Sequence, residues 1–122
     1  MIDHASLPVS DLVRSTAFYE ALLSPLGYMK MVERPGTTGF GKRFPEIWLN
    51  ERKGLGTISD GMHLCLRAKG EDVVQAFHAA ALANGGSDDG APGPRQAAMT
   101  PYYAAFIRDP DGNKLEVASF PA

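Results

Sequence analysis

The sequence predicts an α+β fold built from two strand–helix–strand modules, at about residues 1–50 and 61–122, within a single domain of 122 residues. Three observations predict it. Strand character followed by helical spacing occurs twice along the chain, and a histidine, His4 or His63, stands about eight residues ahead of each helix. Two apolar runs then flank Asp109-Pro110-Asp111-Gly112, a sequence made for a tight hairpin. The length suits one core, because domains most often run to roughly 100–150 residues.

Each element has a local cause. Ile2 to Val9 reads as a strand, Ser10-Asp11 offers an N-cap, and Leu12, Thr16, Tyr19, Leu22 and Leu23 recur near helical spacing. Pro25 and Gly27 end that helix. Tyr28 to Glu33 reads as a strand, Pro35-Gly36 with Gly39 and Gly41 as turns, and Phe44 to Leu49 as a further strand. The polar, glycine-containing stretch Asn50 to Gly61 is a crossover, too short for a domain linker.

The second module repeats the order. Met62 to Ala68 is the strand; Gly70-Glu71-Asp72 starts a helix with Val73, Val74, Phe77, Ala80 and Ala81 on its apolar face; Asn84-Gly85-Gly86 stops it. Ser87 to Thr100, rich in Gly, Pro, Asp and Ala, predicts a loop, with a short strand at its start left open. Tyr102 to Arg108 and Asn113 to Phe120 are the strands of the closing hairpin, in which a three-residue loop sets Phe106 opposite Glu116.

Composition excludes several function classes. Hydrophobic residues are 44% and charged residues 21%, near the globular average, and the net charge of −2 comes from scattered groups with no basic stripe for nucleic acid. No apolar run approaches the roughly 20 residues that cross a bilayer, and the N-terminal residues lack a signal-peptide pattern. The lone Cys65 has no internal disulfide partner. These features predict a cytoplasmic protein with a small-molecule substrate and no membrane or nucleic-acid partner.

Strand alternation puts His63, Cys65 and Arg67 on one face and Met62, Leu64 and Leu66 on the other, and it turns Glu116 away from Leu115 and Val117. If the apolar faces pack under the helices, His63 and Glu116 project together from the uncovered side, and His4 is placed to join them from the equivalent first strand. Two imidazoles and a carboxylate fit one face of an octahedral divalent ion, with sites left for two substrate oxygens. Zinc, nickel, iron and manganese all accept such donors. Taken singly, each residue has a plainer reading. His4 and His63 suit surface or hydrogen-bonded positions, Glu116 a cross-strand charge, His78 an exposed helix position, and Cys65 a small cleft residue, a minor ligand or a reactive thiol.

The pattern of His4, Asp11-Leu12 with Ser15 and Phe18-Tyr19, Gly61-Met62-His63-Leu64, and Asp109-Pro110-Asp111-Gly112-Asn113-Lys114-Leu115-Glu116 resembles the vicinal-oxygen-chelate superfamily. That group includes glyoxalase I, extradiol dioxygenases, methylmalonyl-coenzyme A epimerase, and fosfomycin and bleomycin resistance proteins. The resemblance implies two β-α-β-β-β modules forming a cup-shaped mixed sheet with helices outside, a homodimer, and metal ligands at His4, His63 and Glu116, drawn in some relatives from both subunits. Two departures stand out. Ile47-Trp48-Leu49-Asn50 has no carboxylate where glyoxalase I carries one, and Phe106 stands where similar dioxygenases carry a tyrosine.

The leading expectation is a divalent-metal enzyme of lyase, isomerase or dioxygenase type. Arg67 and Tyr102 act near the substrate, and Phe106, Trp48 and Cys65 line its site. The rival is a metal-free binding or bleomycin-resistance-like module that stacks an aromatic ligand on Trp48, Phe106 and Tyr102.

Overall fold

A computed structural model describes residues 1–96 and 99–121. The chain runs β1 (Ala5–Val9), α1 (Leu12–Leu23), a 3-10 turn (Ser24–Leu26), β2 (Met29–Arg34), β3 (Thr37–Gly41), β4 (Pro45–Glu51), β5 (Leu64–Arg67), α2 (Glu71–Ala83), β6 (Ser87–Gln96), β7 (Pro101–Arg108) and β8 (Lys114–Ser119). Each half is a β-α-β-β-β unit with its own four-stranded sheet, ordered β1-β4-β3-β2 and β5-β8-β7-β6. In both, the first strand pairs parallel with the last and the remaining neighbours are antiparallel, as a helical crossover followed by two reversals requires. The α+β fold of paired modules is the one the sequence predicts.

One face of each sheet is apolar and packs under a helix. Leu7, Val9, Ile47 and Leu49 meet Phe18, Leu22 and Leu23 of α1, while Leu66, Ile107, Leu115 and Val117 meet Val74, Phe77 and Ala81 of α2, in one continuous cluster. Helix α1 starts where expected, since the Asp11 side chain accepts from Arg14 N at 3.1 Å and Glu51 Oε2 accepts from Leu12 N at 3.0 Å. Ser10, the other N-cap candidate, is taken up by Asp111 instead.

Four local expectations are corrected. The first and fifth strands begin at Ala5 and Leu64, so His4 and His63 lie just ahead of them rather than within them. Gly39 and Gly41 belong to β3 and do not turn the chain; Gly39 serves packing, because a Cβ there would meet the Trp48 ring at 2.9 Å. Ser87 to Gln96 is a ten-residue strand where a loop was expected, and residues 97 and 98 of that stretch lie outside the described residues. It can be a strand because it pairs only with β7 at the sheet edge, and register shifts at Asp88/Gly90 and Gly90/Gly93 absorb its prolines and glycines. His78, expected to be exposed, is 9% exposed and bonds Asp88 Oδ1 through Nε2 at 2.8 Å.

Candidate functional site

The face of the second sheet turned away from α2 carries His63, Cys65 and Arg67 beside β5, Lys114 and Glu116 on β8, and Tyr102 and Phe106 on β7. Phe106 pairs with Glu116, the register the three-residue hairpin loop dictates. Gly112 takes φ +98° at the end of that loop, and Asp109 N donates to Asn113 O at 2.9 Å.

Glu116 is 5% exposed and its Oε1 lies 3.0 Å from His63 Nε2. Tyr102 stacks on Phe120 at 5.1 Å, and the Arg67 guanidinium lies 4.6 Å over the same Phe120 ring. Ala104 and Ala118, the small residues on that face, are fully buried. Burial, with the Glu116 carboxylate nearby, holds the Tyr102 hydroxyl above its ordinary value. The same two causes push the Cys65 thiol up to about 12, which keeps it a thiol at neutral pH.

Two donors each about 2.1 Å from one ion, at right angles, stand about 3 Å apart. His63 Nε2 and Glu116 Oε1, 3.0 Å apart, are hydrogen-bonded to each other, and the same separation is compatible with two ligands of one divalent ion. His4 does not reach it within the chain. Its Nδ1 lies 2.7 Å from Asp3 Oδ1, in a separate cavity with Tyr28 and Glu46, and no three His, Cys, Asp or Glu side chains converge among the described residues.

The paired strands give residue-by-residue equivalence between modules. Ser6 pairs with Trp48 and Cys65 with Glu116, each two residues past a histidine, so Trp48 holds the place in the first sheet that Glu116 holds in the second. Gly39 likewise takes the place of Phe106. The aromatic ring and the small or acidic partner have exchanged strands.

Most of the Asp109 to Asn113 motif is structural. The buried Asp109 carboxylate accepts from Tyr19 Oη at 2.6 Å, Asp111 N at 2.9 Å, Asn113 N at 2.8 Å and Asn113 Nδ2 at 2.8 Å. Asn113 Nδ2 also donates to Pro8 O at 2.9 Å, and Asp111 accepts from Ser10 N at 3.0 Å. The hairpin thereby clamps the second module to the β1–α1 junction of the first.

A family profile for the Glyoxalase/Bleomycin resistance protein/Dioxygenase superfamily matches residues 1–117. The chain belongs to this superfamily. It is similar to a solved glyoxalase/bleomycin resistance protein from Albidiferax ferrireducens T118 at 35% identity over 98% of each chain, with TM-score 0.85. A glyoxalase/bleomycin resistance protein/dioxygenase family enzyme from Burkholderia phytofirmans PsJN shares the fold at 17% identity over 98% of each chain, TM-score 0.73. So does the fosfomycin resistance protein FosX from Mesorhizobium loti, at 16% identity over 99% of this chain and 92% of that one, TM-score 0.72. No curated protein matches the chain.

Sequence reasoning missed one part of this superfamily member's surroundings. A cavity of about 340 Å³ opens beside His63, walled by Leu7 and Pro8 of β1, Leu55 and Ile58 of the crossover, and Met62, with Lys114 at its edge. The signal was present as two half-buried apolar residues, three apart, in an otherwise polar segment. Among the described residues no helix is long and apolar enough to cross a membrane.

Proposed function

We propose that the protein is a divalent-metal-dependent glyoxalase-like enzyme that holds a small substrate through adjacent oxygens, in a reaction of lyase, isomerase or dioxygenase type. The observation that carries this reading is the His63–Glu116 pair, 3.0 Å apart, with a buried carboxylate on a sheet face that no helix covers. In this reading the working form is a cytoplasmic homodimer, and the partner's His4 completes the ligand set with His63 and Glu116 around zinc, nickel, iron or manganese. When bound, the ion polarises the two substrate oxygens.

The chain's own residues do the rest. Tyr102, protonated at neutral pH, donates to a substrate oxygen beside Glu116. Phe106 shields that oxygen from water and cannot itself move a proton. Arg67, fixed over Phe120, faces negative charge on the substrate. Cys65 and Trp48 complete the lining.

Elemental analysis by mass spectrometry of untagged protein, never exposed to chelator, tests the reading. Near-stoichiometric metal that disappears in a folded His63→Ala variant is the expected result, and a folded variant with full metal content sinks it. One observation favours a second reading, a metal-free binding module: Trp48, in the place equivalent to Glu116, lies close against Gly39 and offers a stacking plate. Metal-free protein that refuses added ions, and whose single tryptophan is quenched by aromatic ligands, would establish it.

A further inference from the structure

The cavity beside His63 lies between the two modules, and three of its features bear on a ligand. Its walls carry the aliphatic side chains of Leu7, Pro8, Leu55, Ile58 and Met62, with serine, threonine and asparagine side chains among them. Its volume of about 340 Å³ falls at the small end of ligand pockets, which run to roughly 300–1,000 Å³. It also adjoins the candidate metal pair through one residue, since His63 is one of its walls and His63 Nε2 lies 3.0 Å from Glu116 Oε1.

The charge at its edge is positive. Asp89 Oδ2 lies 3.2 Å from Lys114 Nζ and 3.1 Å from Arg108 Nε, so one carboxylate is shared between two cations. Lys114 Nζ also sits 4.9 Å over the Phe106 ring, which holds the ammonium between the cavity and the Glu116 face. An acidic group arriving here meets an incompletely neutralised cation, and an aliphatic chain beyond it meets apolar walls.

The geometry points to an aliphatic 2-oxo or 2-hydroxy carboxylic acid as the substrate class: the carboxylate and the C2 oxygen supply the adjacent oxygens at His63 and Glu116, Lys114 neutralises the acid, and the alkyl chain occupies the cavity between the modules. This rests on the proposed function for the placement of the two oxygens. The crossover segment thereby becomes the specificity element, through Leu55 and Ile58.

Calorimetric titration with pyruvate, 2-oxopentanoate and 2-oxohexanoate tests it, with metal content measured on the same preparations. Affinity is expected to rise about four-fold per added methylene, the factor that burial of one CH₂ gives. Ile58→Trp, which fills the cavity, is expected to bring 2-oxohexanoate to within about two-fold of pyruvate while leaving metal content unchanged. Leu55→Trp provides the same test from the neighbouring wall. A flat series, absent binding of all three acids, or a chain-length gain untouched by both variants overturns the proposal. Metal-free protein that keeps the chain-length gain and loses it in Ile58→Trp overturns the metal assignment alone, and metal-loaded protein with a flat series overturns the cavity assignment alone.

Discussion

The two modules share element order, strand pairing and helix placement, yet they carry different chemistry on equivalent positions. Tyr19 of α1 and His78 of α2 each stand eight residues past their N-caps, Asp11 and Gly70, and each binds an aspartate, Asp109 or Asp88. The first bond crosses between modules and the second stays within one. On the open faces, His4 and Trp48 answer to His63 and Glu116, and Gly39 answers to Phe106. The backbone of a β-α-β-β-β unit therefore fixes where a side chain stands, and the residue type decides what chemistry that place offers, a carboxylate at Glu116 and an indole at Trp48.

The largest expected effect separates those two roles. On the proposed metal reading, Glu116→Gln should lower bound metal at least about tenfold, since a neutral amide is a poor ligand for a divalent ion, whereas Trp48→Gln at the equivalent place should leave metal content unchanged. Elemental analysis of both variants against wild type checks it, and equal loss in the two would erase the distinction between the modules.

Next comes the clamp. Tyr19→Phe removes one of four donors from the buried Asp109 carboxylate and should cost about 1.5–3 kcal/mol in urea unfolding, the range for hydrogen bonds to charged groups. A loss below about 0.5 kcal/mol would mean that the hairpin's remaining bonds hold the modules together unaided. Gly39→Val places a Cβ where the indole lies 2.9 Å away, with a cost of about 1–3 kcal/mol from overpacking and a shift in the emission of the only tryptophan. An unmoved emission maximum would show that Trp48 does not rest on Gly39.

The smallest effect is a pH dependence in the second module. The His78 hydrogen bond holds the Asp88 carboxyl below its ordinary value, so this pair contributes stability above the usual carboxylate range, near pH 3.9, and loses it as pH falls through the depressed value. His78→Gln should flatten that acid limb of the melting temperature, recorded between about pH 6 and pH 2.5.

How much was legible depended on whether a signal was local. The helices were readable because Phe18, Leu22 and Leu23, or Val74, Phe77 and Ala81, repeat at helical spacing and start at recognisable caps. The Phe106–Glu116 register was readable because a three-residue turn counts both strands from one point. Strand β6 was not, since Gly90, Pro92, Gly93 and Pro94 contradict strand propensity and only pairing with β7, through two register shifts, makes them extended. His78 was not, because its burial depends on Asp88 and on packing across α2 and β6.

The sequence by itself determined the α+β class, the doubled module, the hairpin, and the alternation that brings His63, Arg67 and Glu116 to one face. These follow from periodicities of two and 3.6 residues and from turn chemistry, all set by near neighbours in the chain. Only the tertiary structure decided that His63 and Glu116 stand 3.0 Å apart, that His4 turns to Asp3 within its own chain, and that the crossover walls a cavity. The His63–Glu116 contact and the cavity join residues far apart in sequence, and their energy comes from burial and hydrogen bonding that no local pattern encodes. The His4–Asp3 contact joins neighbours but depends on the side-chain direction that the folded chain sets.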